Sequence, residues 1–148
     1  MKITSKGRYA VLAMVDIARH SKLSPCNLNH VSIRQNISLP YLERIFNDLK
    51  RANLVESQKG PGGGYRLSKN SCEIQILEIF NAIDEKIKVT GCSNNPNAYC
   101  AGQGKKCLTH NFWENLENLI GKYLQSVSLD DLVTGNKKIE DTQLQWIN

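Results

Sequence analysis

No stretch of this 148-residue sequence approaches 18 apolar residues, and no positively charged head leading into a long apolar run opens it. Neither a membrane-spanning helix nor a secretory leader is therefore expected. The five cysteines are an odd number and do not make a closed disulfide framework. A chain of this size buries about two-thirds of its unfolded surface, so its stability does not call for one. These absences predict a cytoplasmic, reducing setting in which thiolates stay available as ligands or sensors. Also missing is any set of nucleophile, base and oxyanion donors, so the chain is not read as an enzyme.

Acidic residues are scarce in one half only. Residues 1–69 hold twelve Lys/Arg against four Asp/Glu, a net +8, and residues 70–148 hold seven against ten, a net −3. A basic head on an acidic tail suits a duplex-binding module joined to an assembly or sensing module. Within the head, Thr4 or Ser5 can cap a helix whose broad apolar face carries Tyr9, Val11, Leu12, Ala13, Met14, Val15 and Ile17. Lys2, Lys6 and Arg8 crowd its start, where the helix dipole favours anions, so a phosphate partner is expected to approach that end. Asn27 caps a short helix with Leu28, Val31 and Ile33, and Cys26 before it is expected to be buried. His20 and His30 have no evident local partner and are expected at the surface or in packing.

Asn36-Ile37-Ser38 ends that helix, and Ser38 caps the next, with Pro40 tolerated in its first turn. Leu42, Ile45, Phe46 and Leu49 form the inner stripe, leaving Tyr41, Glu43, Arg44, Asn47, Lys50 and Arg51 on the other faces. Helix, tight turn and amphipathic cationic helix make a helix-turn-helix pattern. A strand at 54–58 and its return at 65–67 flank Lys59-Gly60-Pro61-Gly62-Gly63-Gly64, a turn whose glycines permit positive φ and close approach. This is not a P-loop, because its lysine precedes the glycines. The fold class expected is mainly α with a small β-hairpin wing: a winged helix-turn-helix head plus a long dimerisation helix. Lys59 and Arg66 flank the wing, where they can meet phosphates or the minor groove. A winged helix that binds only protein remains the alternative.

Beyond the wing, Ser71 is expected to start a helix over Ile74–Ile83, with Cys72 packed near its beginning. The segment Gly91–His110 then places Cys92, Cys100, Cys107 and His110 within twenty residues. Three thiols and one imidazole suit zinc or an iron–sulphur centre better than oxygen-preferring cations, and Cys107-x-x-His110 can present two ligands from the mouth of a helix. Gaps of seven and six residues are looser than zinc knuckles, so iron–sulphur, zinc and a thiol switch all remain open. A long helix beginning near Thr109 carries Phe112, Trp113, Leu116, Leu119, Ile120, Tyr123 and Leu124, a stripe favoured as a two-fold interface over intrachain core. Ser128 with Asp130 and Asp131 starts a short last helix, and 137–148 is expected to be a mobile tail.

The motifs ITSKGRYAVLAMVDIA, ISLPYLERIFNDLKRANLV, GPGGGYRL and KCLTH, in that order over about residues 1–135, closely resemble the bacterial iron–sulphur cluster assembly regulators. These are winged-helix transcription regulators whose relatives include nitric-oxide and iron sensors. The resemblance implies a homodimeric repressor and activator, bound to a palindromic double-stranded operator, that carries a 2Fe-2S cluster on Cys92, Cys100, Cys107 and His110 and controls cluster assembly genes. A cluster-donating assembly scaffold is a candidate partner, and no membrane association is expected. The DNA contacts expected are Lys2, Ser38, Tyr41, Glu43, Arg44, Arg51, Lys59, Gly60 and Arg66, and by the resemblance Glu43 matches the glutamate through which cluster occupancy alters operator choice. The implied organisation is a head at 1–83, a cluster-binding loop at 84–110, a dimerisation helix with a short terminal helix at 109–135, and a flexible tail at 136–148. The cysteine gaps make this loop three residues longer than is usual in the family, and Pro40 replaces a small polar residue. Arg8 stands where the nitric-oxide-sensing relative has an acidic ligand, which weakens a 4Fe-4S assignment.

Overall fold

The computed structural model describes residues 3–90 and 107–135. Three helices come first: α1 (Ser5–His20), α2 (Leu28–Gln35) and α3 (Leu39–Arg51). Thr4 caps α1 by accepting from the Gly7 amide, and Asn27 caps α2 by accepting from the Asn29 amide. Ala10, Ala13, Met14 and Ile17 of α1 meet Leu28 and Val31 of α2 and Leu42, Ile45, Phe46 and Leu49 of α3 in one buried cluster. Phe46 and Leu49 are fully enclosed, and truncating a side chain so placed costs about 2–5 kcal/mol. Leu12, expected on the apolar face of α1, is instead 41% exposed.

Two asparagines in the left-handed region set the corners. Asn36 (φ 52°) ends α2, and the following Ile37 is buried. Asn53 (φ 55°) ends α3 with paired backbone bonds, Asn53 N–H to Lys50 C=O and Leu54 N–H to Leu49 C=O, so that buried Leu54 leads the chain into the first strand. Strands β1 (Val55–Gln58) and β2 (Gly64–Leu67) form an antiparallel hairpin pairing Val55 with Leu67 and Gln58 with Gly64. Its outer edge is anchored to the head by a two-way bridge, Cys26 N–H to Tyr65 C=O and Tyr65 N–H to Cys26 C=O, both 2.8 Å. Gly64 (φ 158°) sits over this bridge, where an added Cβ would lie 2.4 Å from the Cys26 oxygen. Cys26 itself is buried, as expected from its place before α2.

The helix anticipated over Ile74–Ile83 is broken. Ser71–Glu73 is a single 3-10 turn, Ile74 is extended, and α4 runs only from Ile76 to Ala82. The interruption has a distant cause. Ile74 C=O accepts from Leu129 N–H and Ile76 N–H donates to Val127 C=O, so Ile74 and Gln75 are held extended by the returning C-terminal chain. Cys72 is exposed on the short turn rather than packed there. Glu78 completes a reciprocal cap with Gln75 at the start of α4.

The last two helices are α5 (His110–Ser126) and α6 (Leu129–Thr134). Ser128 caps α6 as its sequence predicts, accepting from Asp131 N–H. Val127 and Leu129 enter the same core as α1 and α4, so α6 closes one side of the head. By contrast α5 is mostly wet on its apolar stripe: Phe112 is 61% exposed and Leu119 and Tyr123 just over 40%. Only Leu124 of that stripe packs against the core cluster. Among the described residues no helix is long and apolar enough to cross a membrane. The expected tail at 137–148, including Trp146, lies outside the described residues.

Candidate nucleic-acid interface and cysteine segment

The reader surface begins at the turn between α2 and α3, which Ser32 locks by donating its hydroxyl to Ile37 C=O at 2.6 Å. Ser38 occupies the N-cap of α3, yet its side chain makes no cap hydrogen bond. Pro40, two residues on, has no amide to offer, and the Tyr41 amide goes to the Ser38 carbonyl. The Ser38 hydroxyl thus faces solvent at the positive end of a 13-residue helix. Glu43, Arg44, Asn47, Lys50 and Arg51 are exposed along α3, while Tyr41 is half-buried, edge-on to the Tyr9 ring at 5.9 Å.

The cations on this surface are unequally occupied. Arg51 is paired with Asp48, Arg66 with Glu56 across the hairpin, and Lys50 donates to the Ser57 hydroxyl at 2.6 Å. Arg44 and Lys59 have no ion-pair partner among the described residues. The wing tip carries Lys59 and Gly60, the latter at φ 97°, both exposed. Tyr65 packs its ring on Phe46 at 4.9 Å. Burial, followed by the negative charge of Glu43, pushes the Tyr65 hydroxyl above its ordinary range, so Glu43 and the wing share one electrostatic environment. Lys2 lies outside the described residues.

Lys6 does not wait for phosphate as its position at a helix start predicts. Its ammonium donates to Asp48 Oδ2 of α3 and to Ile83 C=O at the end of α4, each at 2.9 Å. The Lys6 bond, opposed by burial and aided by Arg51, holds the Asp48 carboxyl below its usual range. His20 also has a partner, where none was expected. Its Nδ1 lies 2.8 Å from Asp16 C=O and 3.4 Å from the Asp16 carboxylate, one turn back. His30 is exposed. The Lys6 contact left no local signal, since Lys6 and Asp48 are 42 positions apart, whereas Asp16 and His20 are an i, i+4 pair on one helix and that contact was legible locally.

Of the four proposed ligands, Cys92 and Cys100 lie outside the described residues. The other two lie three residues apart at the mouth of α5. His110 is the helix's first residue and its one buried position, its amide donating to Cys107 C=O at 3.1 Å. Cys107 is half-buried, with Sγ 3.6 Å from the Thr109 hydroxyl. A thiolate is favoured beside a helix N-terminus, and an enclosed imidazole is held in orientation, so this pair fits half of a soft-ligand site. No group of three His, Cys, Asp or Glu side chains converges among the described residues.

The profile of the Rrf2 family, described as iron-dependent transcriptional regulator, matches residues 3–135. The chain belongs to the Rrf2 family. It is 45% identical over all 148 residues to the HTH-type transcriptional regulator IscR of Vibrio vulnificus strain YJ016, covering 86% of that protein. It is 46% identical over 139 residues to the IscR of Pectobacterium atrosepticum strain SCRI 1043, covering 94% of this chain and 82% of the other. Among solved structures, T. potens IscR is similar with a TM-score of 0.73 at 29% identity, over 93% of this chain and 89% of its own. CymR, the global cysteine regulator of B. subtilis, is similar with a TM-score of 0.76 at 25% identity, over 93% and 99%. As an Rrf2 protein the chain is a DNA-binding, IscR-like transcription regulator and not an enzyme. The expected fold class holds, a helical winged head with its hairpin and a long C-terminal helix.

Proposed function

We propose that this regulator acts on iron–sulphur cluster assembly genes and that a 2Fe-2S cluster on Cys92, Cys100, Cys107 and His110 sets its choice of operator. The observation that carries the cluster assignment is the pairing of half-buried Cys107 with buried His110 at the start of α5, in a chain 45% identical throughout to a regulator named IscR. When bound, the cluster supplies a redox-active centre with one imidazole among thiolate ligands. The chain's own residues do the rest. Ser38, Tyr41, Glu43, Arg44 and Arg51 present the reading face, Lys59, Gly60 and Arg66 stand at its margin, and Lys2 is a further DNA contact. Glu43 repels phosphate and base acceptors but accepts a hydrogen bond from a cytosine amino group, so its placement discriminates between operators. The wet apolar stripe of α5 supports a homodimer, which matches a palindromic operator half-site for half-site.

Anaerobic purification followed by iron, acid-labile sulphide and visible absorption measurements tests the cofactor. Duplex binding by loaded and emptied protein tests its control of DNA choice. Two irons and two sulphides per chain with a loaded-to-empty difference on at least one operator are expected. Stoichiometric zinc without sulphide would reject the cluster.

A further inference from the structure

The start of α1 is built as a clasp on the corner that follows α4. That corner is closed by Asp84 (φ 54°), with Asp84 N–H to Asn81 C=O and Glu85 N–H to Phe80 C=O at 2.9 Å. Glu85 then reaches back across 81 positions to α1, its carboxylate accepting from Thr4 N–H at 2.9 Å and from the Thr4 hydroxyl at 2.6 Å. Gly7 leaves room for this crossing, since a Cβ there would lie 3.3 Å from Glu85 Cγ and Cδ. Two residues after Thr4, Lys6 joins the same corner, through Ile83 C=O, to Asp48 of α3. Asp48 in turn holds Arg51. On the far side of the corner, Val89 N–H donates to Glu117 of α5 at 2.8 Å.

We propose that Lys6 is a positioning residue for DNA reading, tying the Asp48–Arg51 end of α3 to the Ile83–Glu85 corner so that displacement of that corner re-aims the reader. The corner is where the chain leaves the head, and four residues later it is fastened to α5, the helix that begins with His110. Lys6 is suited to the task because its flexible stem brings one ammonium to two acceptors on different elements, and neither acceptor is otherwise bound to α1. A neutral side chain there would remove this polar tie and leave α3 and the corner coupled only by the apolar packing around Ile83. The inference rests on the cluster reading above and adds the route by which cluster state reaches Arg51.

The test uses full-length protein, loaded and emptied, with the operator affinity measured in both states for wild type, Lys6→Met, Lys6→Arg and Glu85→Ala. A residue that only stabilised the head would weaken both states in proportion and leave their ratio unchanged. A positioning residue removes the ratio: Lys6→Met and Glu85→Ala are expected to bring it to within about twofold of unity, with iron and sulphide unchanged, and Lys6→Arg to restore it. Urea unfolding of the emptied variants reports stability separately. A wild-type ratio retained in Lys6→Met, or loss of iron from that variant, would overturn the inference. A wild type that holds iron and sulphide yet shows no ratio would instead defeat the regulatory reading, and the inference with it.

Discussion

Asp16 carries a carboxylate with no exposed side-chain surface, and its oxygens are shared by Arg34 Nε at 3.0 Å, Arg34 Nη2 and Gln35 Nε2 at 2.7 Å. This buried group fastens α2 to α1 and so fixes the platform from which α3 projects. Burial pushes its carboxyl up, but the bonds from Arg34 and Gln35 and the charges of Arg34 and His20 outweigh that, leaving it below its ordinary value of 3.8. A depressed carboxyl stabilises the fold fully above its unfolded pKa and loses that contribution as pH falls through the folded value. Asp16→Ala is expected to cost about 2–3 kcal/mol at neutral pH, read by urea unfolding, because Arg34 is left partly desolvated. Between neutral pH and strong acid the variant should also lose less stability than wild type. Arg44 belongs to the same scale. Lacking an ion-pair partner among the described residues, it can meet phosphate without breaking an internal bond. Arg44→Ala is expected to weaken binding to every duplex and to flatten the dependence of log affinity on log salt by about one unit, measured by anisotropy titration.

At the scale of elements the wing is the most demanding piece, since four residues of each strand are held by one hairpin ladder and one bridge to Cys26. Glycine is required there for two different reasons. At Gly62 (φ 75°) an added Cβ meets nothing within 4 Å, so Gly62→Ala carries only a backbone cost of about 1 kcal/mol. At Gly64 the same atom would strike the Cys26 carbonyl, and the cost rises to about 2–3 kcal/mol as the bridge opens. Unfolding measurements should rank Gly64→Ala well below Gly62→Ala, and hydrogen exchange at the Tyr65 amide should rise in the former alone. The Cys26 and Tyr65 amides are the donors that bridge loses.

The described residues form a packed head and a helix, α5, whose apolar side is largely left to solvent. Phe112 and Trp113 stack edge-on at 4.8 Å, and Leu119 and Tyr123 continue the stripe about two and three turns further along the same helix. Apolar area of this kind is removed from water when a second copy covers it. Replacing Phe112 and Leu119 together by aspartate is expected to give a monomer in sedimentation velocity with unchanged helical circular dichroism, because neither side chain belongs to the core of the head. Affinity for a palindromic operator should fall at least about tenfold, while affinity for a single half-site stays near wild type.

The chain's local patterns determined the α2–turn–α3 unit, the glycine-tipped hairpin, the caps at Thr4, Asn27 and Ser128, and the Cys107–His110 pair at a helix start. Each is dictated by residues within a few positions of one another, through helical periodicity, capping and turn chemistry. Tertiary structure alone decided that Ile74 and Gln75 stay extended, that Lys6 serves Asp48 and Ile83, and that Asp16 is buried under Arg34. Most of these depend on partners far away in sequence, whose backbone and charge compete with local preference only once the chain has closed. The uncapped Ser38 hydroxyl has a local cause instead, the amide that Pro40 lacks two residues on.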